Sequence, residues 1–253
     1  MTKPITVLIL SRNRPLYLWA CLDALYRHTA YPHKFFLCDM ASDDPMVDNV
    51  IRGFERRGMF DRILRAERND PRILAELAYR ELSDWAPYVA YVESDVVVEE
   101  TAPCWLERMA ALMEERPRLA MLGSAIDRRD FVDPAKVEGL RGDEDPIAWR
   151  ARLKADSLER GQDIAEAGDA PLFRPHNPAG RLLLLRVSAM QEIGLITNDA
   201  ALDGALRAAG YETAIATRVR HRHLSLVQVF DYPGYDMALR DRFTANMEIR
   251  DLD

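Results

Sequence analysis

Cysteine and lysine are scarce in this chain. Of its 253 residues only Cys21, Cys38 and Cys104 carry thiols. Three scattered cysteines make neither a disulfide framework nor a cysteine-based zinc site. Free thiols suit a reducing compartment, so a cytoplasmic location is expected. Lysine occurs only at Lys3, Lys34, Lys136 and Lys154, and the other basic side chains are arginines, which suit bidentate contacts to phosphate. The net charge of −7 speaks against a general nucleic-acid binder. No apolar run approaches the ~20 residues that span a bilayer, so any membrane contact would be peripheral. The segment from Ile5 lacks a small-residue cleavage site and is followed at once by charge; it reads as a first strand rather than a signal peptide. No internal repeat and no clear linker is present.

Apolar residues are plentiful at 48%, enough for a sizeable core. Strand and helix patterns alternate through the first half. Ile5–Leu10 is rich in apolar and β-branched residues, as a buried parallel strand should be. Pro15 opens a helix whose buried stripe is Leu18, Leu22 and Leu25. Phe35–Cys38 is a second strand. It leads into a polar run where Ser42, Asp43 or Asp44 caps the next helix, faced by Val47, Val50, Ile51 and Phe54. Arg62–Ala66 is a third strand, and Ile73, Leu74, Leu77 and Ala78 mark a third helix. Tyr88–Val92 is a fourth strand, Pro103 opens a fourth helix, and Leu119–Gly123 is a fifth strand. Further strands are expected at Arg181–Val187 and Glu212–Thr217, on either side of a helix from about Ala200 that stops at Gly210.

This order predicts an α/β fold: a mostly parallel sheet with helices on both faces. It is organised as one domain over 1–253, with a first half to 124, a charged insert over 125–180, and a second half from 181. The insert contains a possible helix at Ile147–Leu158 and a turn at His176-Asn177-Pro178. In such sheets ligands bind at the carboxyl ends of strands. Three polar clusters lie at such ends: Ser11-Arg12-Asn13, Asp39 to Asp44, and Glu93-Ser94-Asp95. The last is the most unusual, because two acids one residue apart close an apolar run. Buried acids need a partner or a metal, and a divalent cation carrying a phosphorylated substrate would satisfy them.

Four blocks together resemble the GT-A glycosyltransferases, family 2 in particular. They are VLILSRNRPLYLWACLDAL, FLCDMASDDP, YVESDVVV and NDAALDGALRAAGYETAIATRVRHRH. The third is similar to the strand that ends in the family's Asp-x-Asp motif, with Glu93 in place of the first Asp. The fourth is similar to its Glu-Asp helix, with Asn198 in place of the Glu.

The resemblance implies transfer of a sugar from a nucleotide donor (UDP-, GDP- or dTDP-linked) to a hydroxyl, metal-assisted and inverting. It implies Ser11, Arg12, Asp39, Ser42, Glu93, Ser94 and Asp95 on the nucleotide, and Mn²⁺ or Mg²⁺ on Asp95 and Glu93 with His221 or His223. It implies Asp199 as the base, with Asp203, one helical turn on, as its rival. The implied acceptor is a bacterial surface-glycan precursor, a lipid-linked sugar or a small glycoside.

The residues alone also admit plainer roles. Glu93 and Asp95 could be solvated turn acids, Asp39 a turn residue, and Asp199 a helix-capping or first-turn acid. Alternation along an extended segment is expected to send His221 and His223 to opposite faces, so at most one points into the site. Two other functions share the fold class: a non-catalytic nucleotide- or glycan-binding module, and a sugar-phosphate nucleotidylyltransferase. The second would carry a Gly-rich, Lys-containing loop after the first strand, and Ser11 to Pro15 has neither residue. A dinucleotide-binding enzyme is disfavoured, since no G-x-G-x-x-G follows that strand.

Overall fold

A computed structural model of the chain describes residues 3–70, 86–127, 168–174, 181–194 and 196–224, with isolated positions at 72, 73, 76, 143 and 145. The helix expected around Ile73–Ala78 falls largely outside these residues. So do the turn at His176-Asn177-Pro178, the helix at Ile147–Leu158 and most of the insert.

The first five elements alternate: β1 (Ile5–Ser11), α1 (Pro15–His28), β2 (His33–Met40), α2 (Pro45–Glu55) and β3 (Arg62–Ala66). Then come β4 (Tyr88–Glu93), β5 (Val96–Val98), α3 (Trp105–Glu114) and β6 (Leu119–Ile126). The remainder is β7 (Leu172–Phe173), β8 (Leu182–Arg186), α4 (Val187–Ile193), α5 (Asp199–Ala208) and β9 (Glu212–His223).

The nine strands of the described residues form one sheet in the order β3-β2-β1-β4-β8-β6-β9-β5, with β7 paired to β9. The β3-β2-β1-β4 half is parallel throughout. Beyond β4 the sheet is mixed. β8 is antiparallel to both β4 and β6, β6 and β9 run parallel, and β5 is antiparallel to β9.

Unbroken apolar runs become strands here because both faces of the sheet are covered. Along β4, Tyr88, Ala90 and Val92 join the core with Leu18, Leu22, Ile51 and Trp105 from α1, α2 and α3. Val89 faces the other way, toward Val187, Leu202 and Leu206 from α4 and α5. Period-2 alternation thus sends each run into two separate cores.

The ends of several elements lie where the side chains dictate. Pro15 sits in the first turn of α1, and Asp44 caps α2 by accepting from Met46 N at 2.8 Å. Asn198 rather than Asp199 caps α5, its side chain accepting from Ala201 N. Pro103 lies just ahead of α3, which starts at Trp105 with Cys104 as its cap residue.

The sequence pattern did not delimit β5, β7 or α4. Three consecutive valines, or seven residues between a strand and a glycine, show too short a period to assign. It also stopped β9 too early. That strand runs on through Arg218 to His223, because its pairing with β6 slips between Ala216 and Arg220 and then resumes. The slip lets Thr217 meet the insert instead, through Thr217 N to Pro171 O at 3.1 Å and Thr217 Oγ1 to Ala170 O at 2.5 Å.

Candidate functional site

The parallel register aligns the first two polar clusters. Ser11 is paired with Asp39 and Leu10 with Glu93, so all three strand ends lie on one edge of the sheet. Asp39 is buried, its Oδ1 accepting from Ser42 Oγ at 2.5 Å and its Oδ2 from Arg65 Nη1 at 3.4 Å. Arg65 also reaches Asp48 of α2 at 2.7 Å. Asn13 ties the β1 and β2 loops together. Its backbone N donates to Ser42 Oγ at 2.7 Å, and its Oδ1 accepts from Asp43 N and Asp44 N at 3.0 and 3.2 Å. To do so it adopts a left-handed backbone, φ 52°, as does Arg14, φ 56°. Asparagine tolerates that conformation better than most residues. Ser11 Oγ is fully buried and finds no hydrogen-bond partner among the described residues. Arg12 lies half-buried beside it.

Glu93 and Asp95 bracket the turn between β4 and β5, with Ser94 nearly buried between them. Each acid meets an arginine. Arg181 Nη1 lies 2.7 Å from Glu93 Oε2, and Arg14 Nη1 lies 3.2 Å from Asp95 Oδ2. The Glu93 backbone N also donates to the Arg181 carbonyl at 3.0 Å. Burial raises the Glu93 carboxyl above its ordinary range; Arg181 opposes the shift, while Asp95 and Asp199 add to it.

The β5–β9 pairing supplies the histidines. Val96 is opposite His223 and Val98 opposite His221, and Leu224 N donates to the Asp95 carbonyl at 2.8 Å. His223 Nε2 consequently lies 3.9 Å from Asp95 Oδ2. One ligand atom each from Glu93, Asp95 and His223 fall within 4.8 Å of one another. A Mg²⁺ ion with ligands at ~2.1 Å sets its neighbouring ligands ~3 Å apart and opposite ones ~4.2 Å apart. Two carboxylates and an imidazole at this spacing fit such a cation with modest side-chain adjustment, and the donor set suits Mn²⁺ as well.

His221 has a different place. The expectation that alternation separates the two histidines fails, because residues two apart in a strand project to the same side. Both are buried, at 1% and 2% exposure, with ring centroids 6.5 Å apart. His221 nevertheless lies outside the ligand group. Its Nδ1 pairs with Ser124 Oγ at 2.7 Å, and its Nε2 finds no partner among the described residues. Burial pushes its pKa down to about 3, and the neighbouring His223 adds to the effect.

The two acids of α5 part company. Asp203 is buried at 4% exposure and points back into the fold. Arg207 Nε donates to both of its oxygens, at 2.9 and 3.0 Å, and Thr213 Oγ1 donates to Oδ1. Arg207, one turn on in α5, thus holds both carboxylate oxygens, and the Thr213 bond ties α5 to β9. Asp199 is half-exposed at the start of α5, its Oδ1 accepting from Ala200 N at 2.9 Å. Its charge is felt at Glu93, Tyr91 and Arg181, so it borders the acid cluster.

Arg181 and Arg65 were not foreseen as site residues. Arg181 opens a strand whose partner in the sheet cannot be read locally, and Arg65 is one arginine among many.

A scan of family models finds no match, and neither does a search of curated proteins. Solved structures do match. A GalNAc-T7 structure with UDP, GalNAc and Mn²⁺ superposes at TM-score 0.61 with 12% identity, over 88% of this chain and 44% of that one. The mannosyltransferase PcManGT from Pyrobaculum calidifontis, in complex with GDP-Man and Mn²⁺, does so at 0.59 and 14%, over 96% and 61%. The chain has the GT-A fold. It spans less than two thirds of either neighbour's length. The polar clusters lie along the GT-A sheet edge where the parallel strands end, and no helix among the described residues is long and apolar enough to cross a membrane.

Proposed function

We propose that this chain is a metal-assisted glycosyltransferase that moves a sugar from a nucleoside-diphosphate donor to an acceptor hydroxyl, with inversion at the transferred carbon. One observation carries the proposal. The β5–β9 register seats His223 beside Asp95 and Glu93, at the sheet edge that also holds Ser11 and Asp39. In this assignment Asp39, fixed by Ser42 and Arg65, faces the nucleoside, while Ser11, Arg12 and Ser94 line the approach to it. Glu93, Asp95 and His223 would hold Mn²⁺ or Mg²⁺, which neutralises charge on a leaving diphosphate. Asp199, half-exposed and beside the acid cluster, takes the proton of the attacking hydroxyl. A leaving nucleoside diphosphate, free thiols and the absence of a spanning helix among the described residues fit a cytoplasmic enzyme that meets a glycan, lipid-linked or small-molecule acceptor from solution.

The neighbours' ligands set the probes. The melting temperature is to be followed with UDP, GDP and dTDP, each with and without Mn²⁺. A ligand that binds only the folded chain stabilises it by mass action, ~2.7 kcal/mol at a hundred times its Kd, and so raises the midpoint. The expected result is a shift with one nucleotide that depends on Mn²⁺. No shift with any of them removes the proposal.

A further inference from the structure

In the structure both acids offered to the cation already have a cationic partner. Arg181 holds Glu93 with its side chain at 2.7 Å and with its backbone carbonyl at 3.0 Å. Arg14 holds Asp95 through Oδ2, the oxygen that also lies 3.9 Å from His223 Nε2. The Arg181 guanidinium is felt beyond its partner, at Asp95, Asp199, Tyr91 and His221. Its charge therefore acts on more than the one acid it pairs with. Its Nε is buried and finds no partner among the described residues, so the guanidinium retains unused donor capacity. Its side chain is one third exposed, which leaves it room to change partners.

Charge balance governs how such a site fills. Glu93, Asp95 and Asp199 outnumber Arg14 and Arg181 by one, so the cluster is nearly neutral without a metal. A dication entering alone must compete with two guanidiniums for the same carboxylates and leaves the cluster positive. A diphosphate entering with it offers those guanidiniums new acceptors, and Arg forks match phosphate oxygens well.

Taking the proposed metal and nucleotide assignment as given, we infer that Arg181, assisted by Arg14, is a positioning residue that couples the two ligands. It occupies Glu93 in the free chain and passes to the diphosphate when cation and nucleotide bind together. Glu93, the acid with the longer side chain, is the hinge of this exchange.

The test titrates Mn²⁺ into the full chain by calorimetry, alone and with UDP, GDP or dTDP. The wild type is compared with Arg181→Met and Arg181→Lys. Wild type is expected to bind Mn²⁺ weakly alone and roughly 5–150-fold tighter with its nucleotide, the range of ordinary coupling between two ligands. Arg181→Met is expected to bind Mn²⁺ alone roughly tenfold tighter, because a positive charge has left the site. It is also expected to bind the nucleotide more weakly, so the coupling collapses; Arg181→Lys restores part of it. A merely structural role would not tighten metal binding on mutation. Arg14→Gln, which releases Asp95 instead, should shift both affinities the same way and replaces Arg181→Met if that variant does not fold. Unchanged or weaker Mn²⁺ binding in both variants, with nucleotide coupling intact, overturns this inference and leaves the proposed function standing. No binding of Mn²⁺ or nucleotide by the wild type overturns both.

Discussion

In the β3-β2-β1-β4 half of the sheet, each polar residue of the candidate site sits where its own strand ends. Ser11 and Asp39 are placed by successive β-α units, and the loop contacts between Asn13, Ser42, Asp43 and Asp44 join neighbouring strand ends. In the β8-β6-β9-β5 half, partners come from far along the chain. His223 reaches Asp95 through an antiparallel pairing, and Arg181 reaches Glu93 because the start of β8 lies against the end of β4. The first half is thus a scaffold of local units, and the second delivers distant residues to the acids at its border. Damage in the two halves should separate, because the proposed assignment puts the nucleoside on the local side and the cation at the border.

Asp95→Asn against Asp39→Asn is the sharpest way to break that division. Asp95→Asn removes a carboxylate from the ligand group and leaves Arg14 without this partner. Sugar transfer is expected to fall ~10³-fold, about 4 kcal/mol of barrier, together with Mn²⁺ binding measured by calorimetry. Asp39→Asn is expected to weaken the nucleotide while Mn²⁺ alone binds as in wild type. If both variants lose the metal equally, the two halves are one site and the division is wrong.

Within α5 the same logic separates two acids four residues apart. Asp203→Ala leaves Thr213 and Arg207 short of the partner they share, and should cost about 2–3 kcal/mol in a denaturant melt. Asp199→Asn should leave that melt nearly unchanged while abolishing turnover at unaltered nucleotide affinity. Turnover retained in Asp199→Asn would dismiss it as the base, whereas nucleotide binding with no turnover in the wild type, across a broad acceptor set, would favour a binding module.

The smallest effect tests the deep side of β9. His221 is held neutral in the fold, with its pKa pushed down to about 3 from an ordinary 6.5. The unfolded chain therefore takes up a proton that the folded chain refuses. The contribution is complete above pH 6.5 and drains away as the pH falls toward 3, at ~1.4 kcal/mol per unit. Denaturant midpoints at about pH 7.5 and about pH 5, in the presence of a chelator, should show that slope. His221→Gln should flatten it, and an unchanged slope would assign the effect to another group.

Much of the parallel half was legible, because its signals are local. Ile5–Leu10 and Tyr88–Val92 are dominated by apolar and β-branched residues, Pro15 and Pro45 mark helix starts, and Leu18, Leu22 and Leu25 repeat at helical spacing. Strand-end polar clusters then point to the ligand edge. The mixed half was less legible. The β5 valines are too few to show a period, and α4 is too short to be separated from the strand before it. The true length of β9 depends on a slip in register past Thr217 that only its neighbours create. The placement of the two histidines on opposite faces was an error of periodicity, corrected by the strand itself.

From sequence alone came the alternation of strands and helices, the apolar runs that both cores require, and the identity of the acids at the strand ends. These follow from short-range preferences and from the need to bury apolar surface. Tertiary structure decided which distant residue each acid meets: Arg181 on Glu93, Arg14 and His223 on Asp95, Thr213 and Arg207 on Asp203. Those pairings depend on strand order and register, set by packing across the whole sheet, which no single segment of the chain encodes.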